Sequence, residues 1–297
     1  MKPKLYYIIA PIHERYVSRW FETMYKFSEP NSFRVIFVDQ IKGGITAKLW
    51  GEIKDKVHLY IHAPHYQFGY AKAMNTGIVQ ALHQGAELIC PSNDDIEIIN
   101  PRWIDGIRQT FALDERIVGV VPMSPRIPGW GYGLKYNPDI VPYKTEYTEA
   151  DYDYLLEGNY SLNVEVPETF PKNMKGNVID GSIFIMPYFK RKLFDECGLL
   201  DERYWPGSGE DMDMMARAYQ KNMRIVSTSY SWIWHWLTKS KDLFAETELS
   251  NEYYRPKHHS YWNHESLIWP DGFDAWGKNP KGELYQRVPE VFVDDML

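Results

Sequence analysis

Long apolar runs are missing from this chain. None approaches the ~18 to 20 residues that cross a bilayer, and Met1 to Leu5 leads straight into a short strand-like run instead of a signal-peptide core. The expected location is the cytoplasm. Positive charge is also in short supply: 33 Lys and Arg face 40 Asp and Glu, a net charge of -7. Gripping the backbone of DNA or RNA calls for a basic face, so nucleic acid is disfavoured as the main ligand. Cysteine is scarce, with only Cys90 and Cys197, which form neither a disulfide framework nor a CxxC pair and read as buried thiols. No internal repeat is visible. What remains is ordinary for a folded globular protein: 297 residues, 44% hydrophobic and 25% charged, enough for one large domain or two small ones. Aromatic residues are the excess. Eleven Trp, 22 Tyr and 13 Phe exceed what a core of this size needs, and suggest exposed aromatic platforms of the kind that hold sugars.

Short apolar runs at 5–10, 34–39, 57–62, 88–91 and 117–121 have strand character, each closed by a polar or structure-breaking residue. Helical patterns at 14–27, 71–84 and 101–113 lie between them, the last with Pro101 where a first helical residue belongs. This repeated βα order predicts an α/β protein with a mostly parallel, Rossmann-like sheet flanked by helices. Such sheets bind ligands beyond the carboxyl ends of their strands. Residues 123–177 break into Pro, Gly, Tyr and Asn and read as a loop-rich insertion. Order returns with a strand at 178–186, helices at 189–197 and 210–221, and a strand at 224–227. The expected organisation is a core domain over 1–240, divided into 1–122, the insertion 123–177 and 178–240, followed by a C-terminal extension over 241–297.

Several strand tips carry groups capable of chemistry. Asp39 closes the run FRVIFVD, where a carboxylate can meet the base or ribose of a nucleotide or simply accept a hydrogen bond from its own turn. Gly69 to Gly77 places small residues at the opening of a helix. Asn93, Asp94 and Asp95 follow the run ELIC. Adjacent carboxylates there repel one another unless solvent or a cation neutralises them, and oxygen ligands suit Mg²⁺ or Mn²⁺. Glu210, Asp211 and Asp213 sit in a first helical turn after the glycine-rich stretch that begins at Trp205. They complement the helix dipole, and Asp211 is also placed to act as a general base. His235, inside Trp232-Ile233-Trp234-His235-Trp236, is either a structural imidazole or a metal ligand. His258, His259 and His264 lack neighbouring cysteines and read as a wet loop instead of a zinc site.

The order of these pieces resembles the GT-A glycosyltransferases, in particular the large family 2 of nucleotide-sugar-dependent enzymes. The resemblance runs from Pro11 and Arg15 beyond the first strand, through Val38-Asp39-Gln40, to the helix start Gly69, Ala71, Ala73, Asn75 and Gly77. It continues with Asn93-Asp94-Asp95 in the manner of an Asp-x-Asp motif, Gly198 to Tyr204, then Glu210, Asp211 and Asp213, and ends on His235. It implies a GT-A fold in which 1–122 binds the nucleotide sugar and 178–240 carries the acceptor and catalytic half. It also implies that Asp39 contacts the base, that Pro11, Arg15, Asn75 and Asp94 line the donor nucleotide, that Asp95 and His235 hold a Mn²⁺ or Mg²⁺ ion on the diphosphate, and that Asp211 is the catalytic base. Gln40 and Asn93 stand where the family usually has further acidic residues.

The activity expected is inverting transfer of a sugar from a nucleoside-diphosphate sugar, UDP-sugar favoured, to the free hydroxyl of a glycan or other glycosylated acceptor. Trp130 and Tyr132 in the insertion are expected to meet the acceptor, with Trp205, Gly209, Glu210 and Asp213 near the site. Two alternatives share the sheet. A sugar-phosphate nucleotidyltransferase needs a Gly-rich basic loop after its first strand, where this chain has PIHERY. A non-catalytic glycan-binding protein would suit the aromatic excess and turn over no donor.

Overall fold

The computed structural model describes residues 4–29, 31–63, 69–99, 101, 103–124, 178–181, 184–204, 207 and 209–236. The body of the insertion and the C-terminal extension, with Trp130 and Tyr132, lie outside the described residues, as does Trp205.

The first half follows the expected alternation. Strand β1 (Leu5–Ile9) leads to α1 (Val17–Lys26), β2 (Phe33–Asp39), α2 (Ala47–Ile53), β3 (Leu59–His62), α3 (Tyr70–His83), β4 (Leu88–Ser92), β5 (Ile96–Ile98), α4 (Trp103–Phe111) and β6 (Ile117–Met123). The second half supplies β7 (Val178–Asp180), β8 (Tyr188–Lys190), α5 (Arg191–Cys197), α6 (Glu210–Gln220) and the long β9 (Arg224–His235). The strands join in the order β3-β2-β1-β4-β8-β6-β9-β5, with β7 paired to β9. Pairs among β3, β2, β1 and β4 are parallel, as is β6 with β9, whereas β8 runs antiparallel to both of its neighbours. The fold is therefore mixed α/β with a mostly parallel sheet. Every residue of β1 and β6 is buried, as parallel strands covered on both faces require.

Helix α3 lies over β1, β2 and β4, and α4 over β6 and β9. Gly77 permits the first contact, since a Cβ there would stand 2.4 Å from Ile8 Cγ2. A larger residue would push the helix off the strand, at a typical overpacking cost of about 1–3 kcal/mol. Most of the described aromatic residues turn out to build the core. Trp20, Trp103, Tyr7 and Tyr188 are fully enclosed, and the Tyr7 and Tyr188 hydroxyls share a 3.1 Å hydrogen bond. Of the described aromatics only Tyr25 and Tyr60 count as exposed. Cys90 and Cys197 are buried free thiols, as expected. No described helix is long and apolar enough to cross a membrane.

Three boundaries depart from the sequence reading. The first helix starts at Val17 and not at 14, because the Glu14 carboxylate instead accepts the backbone N–H and hydroxyl of Thr46, the residue that caps α2. The run 178–186 is not one strand: β7 ends at Asp180 and β8 begins at Tyr188. The strand expected over 224–227 continues to His235, bulged where its register against β6 shifts between Pro122 and Met123.

Candidate active site

The tip of β2 is closed by its own chain. Asp39 is fully buried, and its Oδ1 accepts the N–H of Ile41 at 2.9 Å while Oδ2 accepts the N–H of Ile45 at 2.9 Å and the Tyr60 hydroxyl at 2.6 Å. The carboxylate thus shapes the 40–46 loop, and it pushes the Tyr60 phenol up after burial has already done so. Gln40 next to it is buried, with its side-chain N–H on Ala10 O at 2.9 Å and its backbone N–H on Pro11 O at 3.2 Å. Pro11 is buried and Arg15 is exposed, its guanidinium 5.1 Å from the centre of the Tyr16 ring.

The turn between β4 and β5 is less settled. Asp94 is half-buried, and its Oδ2 is shielded from solvent without a hydrogen-bond partner. Burial and the adjacent Asp95 charge push its carboxyl up to about 7. Asp95 is 4% exposed, and its Oδ1 lies 3.1 Å from His235 Nε2. The antiparallel register that opposes Ile96 to His235 delivers this pair, and Trp236 N–H closes it on Asp95 O at 3.0 Å. Asn93 Nδ2 is 3.3 Å from the same His235 Nε2, while His235 Nδ1 is buried without a partner. Asp94, Asp95 and His235 are thus gathered at one sheet end.

Helix α6 brings the third group. Gly209 caps it at φ 111°, a left-handed position where a Cβ would also sit 2.9 Å from the Tyr204 ring, so glycine alone fits. Asp211, half-buried in the first turn, accepts the N–H of Met212 at 2.7 Å. Burial raises its proton affinity, and backbone N–H groups including those of Met212 and Phe184 oppose that rise. Glu210 is buried beside it, and after burial the charges of Glu210 and Asp211 hold the Tyr70 phenol well up. The pair Phe184-Ile185 joins the pieces. Phe184 N–H faces Asp211, its carbonyl accepts the Tyr70 hydroxyl at 3.4 Å, and Ile185 O accepts Asn93 N–H at 2.9 Å.

Two expected site residues are placed in structural roles. Asn75, expected at the donor, is buried and donates to Leu200 O at 2.8 Å and Glu202 Oε1 at 3.1 Å while accepting Leu200 N–H at 3.0 Å. It fastens α3 to the 198–204 segment. Asp213 is fully buried in an ion pair with Arg217 at 2.8 Å, and Arg217 also donates to Cys197 O, which ties α6 to α5. Sequence reasoning gave no role to Phe184, whose contribution is made by its backbone and so leaves no residue-type signal. Glu97 and Trp236 likewise have no role in the sequence reading, although Trp236 lies inside the Trp232 to Trp236 run and Glu97 two residues beyond Asp95.

No protein-family model matches the chain, and no curated protein matches it in sequence. Solved structures do. Residues 1–349 of TarS from S. aureus superpose with a TM-score of 0.51 at 15% identity, over 82% of this chain and 62% of that one. The mannosyltransferase PcManGT from Pyrobaculum calidifontis, in complex with GDP-Man and Mn²⁺, gives 0.54 at 12% identity over 88% and 72%. GalNAc-T7 with UDP, GalNAc and Mn²⁺ gives 0.57 at 14% over 91% and 53%. This chain spans less than two thirds of the TarS and GalNAc-T7 chains. At this identity the likeness defines the fold: the chain has the GT-A fold of these glycosyltransferases.

Proposed function

We propose that this protein is a divalent-metal-dependent, inverting glycosyltransferase of the family 2 type, working in the cytoplasm on a nucleoside-diphosphate sugar. The observation that carries the reading is the Asp95–His235 pair at 3.1 Å beside the partnerless Oδ2 of Asp94, set at the carboxyl end of the sheet. Among the described residues no group of three or more His, Cys, Asp or Glu is arranged to hold an ion by itself. A Mg²⁺ or Mn²⁺ ion is commonly bound through one or two carboxylates plus substrate phosphates and water. Asp95 and His235 would hold it, with Asp94 beside the phosphates. When bound, the ion supplies positive charge where the departing diphosphate gains negative charge.

The chain's own groups do the rest. The acceptor oxygen attacks the anomeric carbon as its proton passes to the Asp211 carboxylate, and the bond from that carbon to the diphosphate oxygen breaks. With a single displacement and no protein nucleophile, the anomeric configuration inverts. Burial makes Asp211 a stronger base than a free aspartate, while the N–H groups of Met212 and Phe184 keep its anion in place. The 40–46 loop held by Asp39, with Pro11 and Arg15 beside it, is assigned to the donor nucleotide, UDP first among the candidates. Trp130, Tyr132 and Trp205 are assigned to the acceptor. A panel of UDP- and GDP-sugars incubated with Mn²⁺ or with EDTA tests the whole: nucleotide release is expected from one donor class with Mn²⁺ only. Release that ignores EDTA would remove the metal from the reading, and no release from any donor would favour a binding protein.

A further inference from the structure

The proposed chemistry leaves Glu97 unused. This carboxylate is 1% exposed in the centre of β5, two residues beyond Asp95, and a buried charge is costly unless it is paired. Its Oε1 accepts the indole N–H of Trp236 at 2.5 Å and lies 3.4 Å from the Arg19 guanidinium. Trp236 directly follows His235 and is itself clamped from several sides. Its ring stacks on Tyr16 at 5.6 Å with an interplanar angle of 18°, and the Arg19 guanidinium lies 5.5 Å from its ring centre. Its backbone N–H is fixed on Asp95 O at 3.0 Å. Helix α1 and its N-terminal Tyr16 therefore grip a residue that is joined to both members of the Asp95–His235 pair, by a peptide bond to His235 and by a hydrogen bond to Asp95.

We infer that this clamp is a positioning device for the divalent ion: Glu97, Arg19 and Tyr16 hold Trp236, and Trp236 holds His235 and Asp95 at the separation at which both meet one ion. The inference rests on the reading of Asp95 and His235 as metal ligands. A site with so few protein ligands has little to enforce its geometry except the groups behind them, and such supporting groups typically change metal affinity by about 10–100-fold.

The test is Mn²⁺ affinity, read from free Mn²⁺ by electron paramagnetic resonance, alone and with UDP or GDP. Trp236→Phe keeps an aromatic ring against Tyr16 and removes the indole N–H; Glu97→Gln keeps the shape and an acceptor oxygen but removes the charge. Both variants are expected to weaken Mn²⁺ binding by about 10-fold or more with unchanged far-UV circular dichroism and a retained cooperative unfolding transition, a combination that a purely structural role would not give. Arg19→Met, on the partly exposed face of α1, is expected to shift affinity in the same direction and carries the test should either buried variant fail to fold. Wild-type affinity in all three variants would overturn the clamp. So would loss of binding in Glu97→Gln with none in Trp236→Phe, because Glu97 would then be a ligand. A wild-type protein that binds no Mn²⁺ under any of these conditions would overturn the metal reading and the clamp together, a result distinct from binding that the variants leave unchanged.

Discussion

Asp39 ends β2 and Asp94 follows β4, two parallel strands on either side of β1, and the protein treats the two aspartates oppositely. Asp39 accepts three hydrogen bonds from its own chain and is sealed from solvent. Asp94 keeps a shielded oxygen without a partner, and burial with the Asp95 charge lifts its carboxyl to about 7. A fold that can satisfy one strand-tip carboxylate so fully leaves the other in deficit, and a deficit of this kind is what a cation relieves. The same division recurs in the first turn of α6. Asp213 is matched by Arg217, while Asp211 is held by peptide N–H groups with its proton affinity raised. In the proposed reading Asp39 and Asp213 serve the scaffold, and Asp94 and Asp211 the chemistry.

The largest effect that could break this division is expected at Asp211. Asn keeps its size and much of its capping ability, so Asp211→Asn is expected to fold and to lose no more than about 1 kcal/mol of stability. Sugar transfer, in contrast, is expected to fall by about 10² to 10⁴-fold with donor affinity retained. Turnover within threefold of wild type would place Asp211 with the scaffold carboxylates and move the search for the base to Glu210. Asp213→Ala sharpens the other side of the comparison: it strands the buried Arg217 and is expected to cost about 3–5 kcal/mol in urea unfolding. Donor and Mn²⁺ affinity of the protein that remains folded are expected to be unchanged.

Metal removal separates the two strand tips directly. A nucleoside diphosphate at ~100 times its dissociation constant is expected to add about 2.7 kcal/mol of stability with Mn²⁺, and almost none with EDTA. Asp95→Ala is expected to behave like the EDTA sample. Asp39→Asn is expected to lower the stability of the unliganded protein and keep the difference between Mn²⁺ and EDTA. A melting-temperature comparison of the three proteins in both buffers checks this, and an Asp39 variant that loses the metal response would overturn the contrast.

Much of the scaffold was legible because its signals are local. The apolar runs at β1, β2, β4 and β6 and the spacing of α1, α3 and α4 survive with shifts of a few residues. The candidate residues were legible in their place on the fold: Asp94 and Asp95 lie in the turn after β4, Asp211 at the start of α6 and His235 at the end of β9. What could not be read was their state of satisfaction. Asn75 meets Leu200 across 125 positions, and Glu97 meets Trp236 across 139. Nothing in a single sequence distinguishes an amide pointed at a ligand from one fastening a distant loop. The described aromatic residues belong mostly to the core for the same reason, since residue type says nothing of which way a ring faces. Helix α2 and strand β5 went unread because each is short, and β5 exists only through its pairing with β9.

The smallest effect concerns a satisfied carboxylate at the opposite end of the sheet. Asp114, before β6, takes Arg116 at 2.7 Å and Arg224 at 2.9 Å, and hydrogen bonds from Arg116 foremost hold its carboxyl far below the usual aspartate range. A depressed folded-state value means that the charged form is favoured by folding. Its contribution is therefore complete above the unfolded value of about 3.9 and is lost as pH falls through the lower folded value. Arg116 is 49% exposed, so solvent screening limits the contribution to less than about 1 kcal/mol. Asp114→Asn is expected to lower the urea midpoint slightly at pH 7, with the gap to wild type closing only as the pH drops below about 4. The gap should be indifferent to EDTA and Mn²⁺, because this carboxylate already has its cations in Arg116 and Arg224. A gap that widened on chelation would mean that the scaffold carboxylates also depend on the ion, and the division between satisfied and unsatisfied acids would fail.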